Sequence, residues 1–220
     1  MVGKTYFYFL ILFFSFSCDP IDYSSPLYYD DYYPIELDNV KEYFVTNISH
    51  TSFGKDTNYY FLKEIITEKF IDSEGDSAYR IERFWKTDTV LEYTIKDIWT
   101  TKKTTRSAEK VEENERFIKM VFPLNEYQFW NGNAYNSQDA QEYTVENLHN
   151  TFDINNNTFD STVTIIHNHN FNQIEYESEK EVYAIGVGLI YKENLILNIN
   201  SGNIMDVNYG SEYTQELINY

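Results

Sequence analysis

Short segments in which apolar and polar residues alternate constrain the fold of this 220-residue chain more than any other feature. Residues 91–96 read Leu-Glu-Tyr-Thr-Ile-Lys, so that every second side chain is apolar. Successive side chains of a β-strand point to opposite faces, and this pattern therefore predicts a strand with one buried face. In residues 117–122 both alternating sets are largely apolar, which predicts a strand that is buried on both faces.

We therefore expect a mainly β fold, namely a single curved antiparallel sheet or half-barrel with at most one or two short helices. Residues 176–184 are one helix candidate, and residues 59–70 fit either an amphipathic helix or a strand. Asn131-Gly132-Asn133 is the strongest tight-turn signal. Glu193-Asn194 lies between two apolar runs and predicts the turn of a hairpin.

Charge and cysteine content exclude several classes of protein. Lys and Arg total 17 against 35 Asp and Glu, a formal net charge of −18. A surface this acidic repels phosphate, so we expect no nucleic-acid partner. A single Cys excludes a disulfide framework and a cysteine-rich metal site.

The N-terminal residues 1–17 are predicted to be a signal peptide. Lys4 precedes an apolar run over residues 6–16, which is shorter than the roughly 20 residues that span a bilayer. Ser15-Phe16-Ser17-Cys18 resembles the lipobox of bacterial lipoproteins, in which a small residue precedes a lipidated Cys. The resemblance implies lipidation at Cys18, with palmitate among the acyl groups, and attachment to the outer membrane on its periplasmic or cell-surface face.

The mature chain is predicted to consist of a tether and one domain. Residues 18–33 have no regular periodicity and predict a lipidated N-terminus with a flexible tether. Residues 34–220 predict an antiparallel β domain. An aromatic-Pro-aliphatic motif followed by a large aromatic residue occurs at both Tyr33 and Phe122, which raises the possibility of two pseudo-repeated β units, 34–121 and 122–220.

Three segments of the domain resemble a group of β-rich bacterial lipoproteins of uncharacterised activity. They are Tyr33-Pro34-Ile35 ahead of Tyr43, then Val121-Phe122-Pro123-Leu124 with Trp130-Asn131-Gly132-Asn133, and residues 181–191 with their Tyr-Ala-x-Gly-Val-Gly-Leu-Ile pattern. The resemblance implies a strongly curved antiparallel sheet, comparable in fold to periplasmic lipoprotein carriers. It implies no reaction.

Candidate chemical sites are few. His167 and His169 are two residues apart on a predicted strand, where their side chains would share a face, so they are weak candidates for a Zn or Cu site that His149 or Glu175 would complete. The alternative is that they are surface polar residues. We predict no catalytic residue and no cofactor, and the ligand-binding residues stay unknown. Three Trp residues are candidates for a ligand cleft or for the core: Trp85, Trp99 and Trp130.

These observations favour an exported, membrane-anchored lipoprotein with a non-catalytic binding or structural role. Its partners would be the membrane, through the N-terminal lipid, and a protein or lipid of unknown identity. One alternative is a carrier that binds an apolar ligand, either a lipid or a lipoprotein, in a cavity of the curved sheet. Another is a secreted hydrolase that uses two carboxylates, one of which would need a raised pKa.

Overall fold

The computed structural model describes Met1 and residues 29–220. Twelve strands between Val40 and Asn219 form one antiparallel sheet that makes a nearly closed barrel. The predicted fold class is therefore confirmed, and 69% of the chain is in strands. Besides a short 3₁₀ turn at Asp30–Tyr32, the described elements are β1 (Val40–Thr51), β2 (Gly54–Ile71), β3 (Ser77–Lys86), β4 (Thr94–Lys103), β5 (Ser107–Glu112), β6 (Glu115–Val121), β7 (Phe129–Asn131), β8 (Glu142–Ile154), β9 (Asn157–Phe171), β10 (Glu175–Ala184), β11 (Gly188–Asn200) and β12 (Asn203–Asn219).

Each strand pairs with the strand that follows it in sequence, except at one seam. The order across the sheet runs from β6 to β1, then from β12 to β7, so the first and last strands pair in its middle. The seam lies between β6 and β7. There the Ile118 N–H donates to the Gly132 carbonyl over 2.9 Å, and Trp130 Nε1 donates to the Ile118 carbonyl over 2.9 Å. These bonds bring the two edge strands together and nearly close the barrel.

Glycine at position 132 permits a close approach next to this seam. A Cβ atom built at Gly132 would overlap the ring of Tyr143, a buried residue of β8. The predicted turn at Asn131-Gly132-Asn133 is present, with the Ala134 N–H bonded to the Asn131 carbonyl. Glycine is needed here for space, since its φ is not in the left-handed region.

Both helix candidates were wrong as helices. Residues 59–70 lie within β2, and residues 176–184 lie within β10. β10 pairs with β9 on one side and β11 on the other, and this pairing overrides the helical preference of its Glu and Lys residues. The predicted turn at Glu193-Asn194 was also wrong, because both residues lie inside β11. The chain turns instead at residues 185–187.

The end of the predicted tether is part of the folded domain. Tyr32 is fully buried and Tyr33 is 9% exposed. The Tyr32 hydroxyl is 2.7 Å from His149 Nδ1, and the Gly186 N–H donates to the Asp31 carbonyl over 2.8 Å. Residues 18–28, with Cys18, and the predicted signal peptide beyond Met1 lie outside the described residues.

Two groups of buried apolar side chains fill much of the barrel. One lies near the seam and includes Met120, Leu124 and Val163, and the other lies around the β1–β12 pair and includes Val45 and Leu217. The two pseudo-repeated units stay a prediction, although β1–β6 and β7–β12 fall on either side of residue 122. Within the described residues, no helix combines the length and apolar character needed to cross a bilayer.

Candidate functional site

A cavity of about 250 Å³ lies inside the barrel. Its wall is formed by β1–β6 and β10–β12, and Tyr33, Pro34 and Ile35 also line it. Aromatic and aliphatic side chains contribute much of the lining, among them Tyr43, Trp99 and Leu189. Six cationic residues and three carboxylates also line it: Lys41, Arg83, Lys96, Lys110, Lys119 and Lys192, with Glu64, Glu113 and Glu181. The cavity thus has an excess of three positive charges in a chain whose net charge is −18.

Strand register places charges of alternating sign in one row across the sheet. Lys41 of β1 pairs with Glu64 of β2, Glu64 with Arg83 of β3, and Arg83 with Asp97 of β4. Directly opposed residues of neighbouring strands point to the same face, so these four side chains share one face of the sheet. Arg83 Nε donates to Glu64 over 2.8 Å and its Nη1 to Asp97 over 3.0 Å, which neutralises the guanidinium from both sides. The guanidinium also lies 3.4 Å from the ring centre of Trp99.

Lys41 and Lys110 lack a close counter-ion. Among residues 29–220, no carboxylate oxygen lies within 4.0 Å of Lys41 Nζ. The carboxylate oxygen that pairs with Lys110 Nζ is Glu64 Oε2, at 3.9 Å. Burial lowers the pKa of Lys110, although Glu64 opposes the effect, and burial together with Lys110 lowers the pKa of Lys41 to about 8. Each of the other four cations of the lining has a carboxylate oxygen within 3.1 Å, so these two ammonium groups are the ones without a close partner.

Four charged side chains, Glu112, Lys119, Glu181 and Lys192, form an ion cluster at one side of the cavity. Lys119 Nζ lies 3.0 Å from both Glu112 and Glu181, and Lys192 Nζ lies 3.1 Å from Glu181. Glu181 and Lys192 are cross-strand neighbours, whereas Glu112 and Lys119 come from β5 and β6 across the barrel. The cluster therefore links the two halves of the sheet through the interior.

Electrostatics hold all members of the ion cluster in their charged forms. Burial acts to raise the pKa of Glu181, but Lys119 and Lys192 outweigh it and hold that pKa well below its ordinary value. The same balance lowers the pKa of Glu112. For Lys119 and Lys192 burial acts to lower the pKa, and the two carboxylates raise it instead. A buried cluster of this kind is stable only while every charge keeps its partner.

The second carboxylate oxygen of Glu181, Oε2, lies next to Tyr183 and His167. The Tyr183 hydroxyl donates to Glu181 Oε2 over 2.6 Å. His167 Nε2 lies 3.5 Å from the same oxygen, without a hydrogen bond, and its ring stacks on Tyr143 at 3.9 Å between ring centres. Burial lowers the pKa of His167, although Glu181 opposes the effect. His167 is therefore a neutral group packed beside the ion cluster at neutral pH.

A second cavity of about 200 Å³ lies on the other side of the ion cluster. Lys119 and Lys192 line both cavities, which means that the cluster forms the partition between them. Glu179 lines this second cavity, and burial raises its pKa. Its surroundings are more polar than those of the first cavity, with Gln138, Gln141 and Asn194 in the wall.

The two histidines that the sequence offers as weak candidates for a metal site lie in different surroundings. His167 is buried against Tyr143, whereas His169 is exposed and contacts Tyr176 at 6.3 Å between ring centres. A bulge in the β9–β10 pairing at this point breaks the alternation on which the prediction depended. His149 binds Tyr32, and Glu175 binds Asn172. Metal binding by His167 and His169 has no geometric support in the described residues.

Another group of acidic residues has the geometry of a cation site, but a lysine occupies it. Asp72, Glu74 and Asp76 bring their carboxylates together in the β2–β3 turn. Lys102 Nζ lies 2.8 Å from Asp72 and 3.0 Å from Asp76, and it also contacts Glu74. Its ammonium group supplies the positive charge that this turn needs.

Trp residues divide between the cavity, the core and the surface. Trp99 lines the first cavity, Trp130 is buried near the seam, and Trp85 is 40% exposed.

Sequence reasoning missed the ion cluster and the two lysines without close counter-ions. The available signal was a charged residue at an inward position of a strand, as in Ile118-Lys119-Met120, whose side chains are all buried.

Comparison with known proteins finds a likeness to a solved structure. No protein family matches the sequence, and no curated protein matches it. A crystal structure from Bacteroides fragilis, described as that of a presumed exported protein with a YmcC-like fold, is 12% identical to the chain. The match covers 82% of this chain and 95% of that one, with a TM-score of 0.41.

Proposed function

We propose that the chain is an exported lipoprotein, anchored through Cys18 to the outer membrane, and that its barrel binds a small organic molecule without transforming it. The cavity of about 250 Å³ is the observation that supports binding. Ligand sites of proteins are concave and combine apolar walls with convergent polar groups. This cavity is concave and has both, with nine charged residues in its lining.

A wholly apolar ligand suits the cavity less well than the sequence suggests. Glu64, Lys110 and Lys119 are buried charged groups in its wall, and an apolar molecule against them would leave them without solvation. A molecule with both an apolar body and a polar group would satisfy the two kinds of lining. We therefore prefer a small amphiphilic ligand to the apolar ligand of the carrier hypothesis.

Binding is also preferred to hydrolysis in the first cavity. A hydrolase of the carboxylate type needs one carboxyl group that stays protonated and donates its proton. The pKa values of Glu64 and Glu181 are both held below their ordinary range, because neighbouring cations outweigh the effect of burial. Neither group is suited to be the proton donor.

Native mass spectrometry of the full-length protein, purified from membranes in detergent, tests the binding proposal. We expect the wild-type protein to retain a small molecule and Ile66→Trp, which places a larger side chain in the cavity, to retain less. Ile65→Trp is the matched control because Ile66 lines the cavity and Ile65, its neighbour in β2, does not. Equal retention by wild type and the Ile66 variant would refute binding in this cavity.

The lipid anchor needs a separate experiment. Cells that express the chain would be labelled with radioactive palmitate, and the protein would be isolated. We expect labelling of the wild type and none of Cys18→Ala. Labelling that survives the substitution, or a full-length unmodified chain in the cytosol, would refute the anchor and leave the cavity proposal untouched.

A further inference from the structure

We infer that the cavity selects an organic anion, a small carboxylate with an apolar body, and that Lys41 and Lys110 hold its charged group. The inference rests on the proposed function, since it names the class of molecule that the cavity binds.

Charge balance in the wall is the first argument. Arg83 has carboxylate partners on both sides, and Lys119 and Lys192 are neutralised within the ion cluster. In the described part of the chain, Lys41 Nζ has no carboxylate within 4.0 Å and Lys110 Nζ has Glu64 only at 3.9 Å. Lys110 is buried and Lys41 is half-buried, and two ammonium groups of this kind favour an anion and disfavour a cation.

The backbone makes room for one of these ammonium groups. A Cβ atom built at Gly188 would lie 2.8 Å from Lys41 Nζ and 3.3 Å from Pro34 Cδ. Gly188, the first residue of β11, has a φ of +89°, which suits glycine, and the absence of a side chain there leaves the space that Lys41 occupies. The side chain of Lys41 lines the cavity, and the residue as a whole is half-buried.

Aromatic residues beside the second ammonium group supply the apolar part of the site. Lys110 Nζ lies 4.6 Å from the ring centre of Trp99, a cavity residue. Ile66, Ile81 and Leu189 line the same space. An anion bound between Lys41 and Lys110 would therefore have its apolar body against Trp99 and these aliphatic side chains.

Equilibrium dialysis with a matched pair of probes tests the inference. 1-Naphthylacetate and 1-naphthylacetamide share one aromatic body and differ in the charge of the head group. The full-length protein would be used, with the same detergent in both chambers. We expect the carboxylate to bind about tenfold more tightly than the amide, the effect of one charge-assisted contact. We expect this preference to weaken in Lys41→Gln and in Lys110→Gln, each of which keeps one ammonium group, and to disappear when both lysines are replaced.

Lys55→Gln is the control, because Lys55 is exposed on β2 and outside the cavity, and it should retain the tenfold preference. Should Lys110→Gln fail to fold, the Lys41 variant still decides the outcome. Equal binding of both probes by the wild type would overturn the anion inference and leave the binding proposal standing. If neither probe binds, both proposals fail.

Discussion

Lys119 Nζ lies 3.0 Å from Glu181 Oε1, and the two side chains are 4% and 2% exposed. This buried ion pair joins β6 to β10, strands that do not pair with each other in the sheet. It therefore holds the barrel together across its interior, and it also separates the two cavities.

Removing both partners of this pair should cost less than the sum of removing each one alone. Glu181→Gln leaves Lys119 and Lys192 with Glu112 alone, and we expect it to lower the free energy of unfolding by about 3–5 kcal/mol. The double variant Lys119→Met/Glu181→Leu should lose less than the sum of its single variants. Urea unfolding measures all of them, and strict additivity would show that the pair is not coupled.

The ion cluster should make the protein sensitive to acid. The pKa of Glu181 is well below its ordinary value of 4.5 in the folded protein, so its contribution to stability is fully present above that value. It is lost as the pH falls below 4.5, because the unfolded chain then binds more protons than the folded chain. We expect thermal unfolding temperatures to fall steeply below pH 4.5. Glu181→Gln should show a shallower dependence, and an unchanged slope would contradict this account.

Lys41 should be unfavourable for stability at neutral pH. Its pKa is lowered from 10.5 to about 8 in the folded protein, chiefly by burial, with Lys110 adding to the effect and Glu64 opposing it. The folded chain thus binds protons less readily than the unfolded chain between pH 8 and pH 10.5, and stability should rise with pH across that interval.

We expect Lys41→Met to raise the free energy of unfolding at pH 7 by on the order of 1 kcal/mol and to have less effect at pH 10.5. The same variant should have a weaker preference for anionic probes. Chemical unfolding at the two pH values checks the first expectation, with Lys55→Met as the exposed control. Destabilisation at pH 7 would show that Lys41 has a structural role.

Gly132 should tolerate no side chain while Tyr143 is present. A methyl group there would overlap the Tyr143 ring, and we expect Gly132→Ala to lower the free energy of unfolding by about 1–3 kcal/mol. In the background of Tyr143→Ala the methyl group has space, so the added cost should largely disappear. A similar cost in both backgrounds, measured by urea unfolding, would exclude overlap as the cause.

Alternation along the chain was sufficient to predict the fold class but not the ends of the strands. Residues 91–96 illustrate this, since β4 begins only at Thr94 and Leu91 is in the preceding loop. Residues 176–184 have a polar composition that fits a helix, and only their pairing with β9 and β11 makes them a strand. Local preference is weak compared with two rows of backbone hydrogen bonds.

The sequence by itself determined that the chain forms a sheet rich in aromatic residues, because side-chain alternation follows directly from the geometry of an extended backbone. It could not determine which charges meet, because that depends on register across strands that are far apart in sequence. Glu112 and Glu181 share Lys119 although about 70 residues separate them in the chain, and the side chain of Lys41 lies against Gly188. The closure of the barrel brings these groups together, and the low polarity of its interior strengthens the electrostatic interactions between their charges.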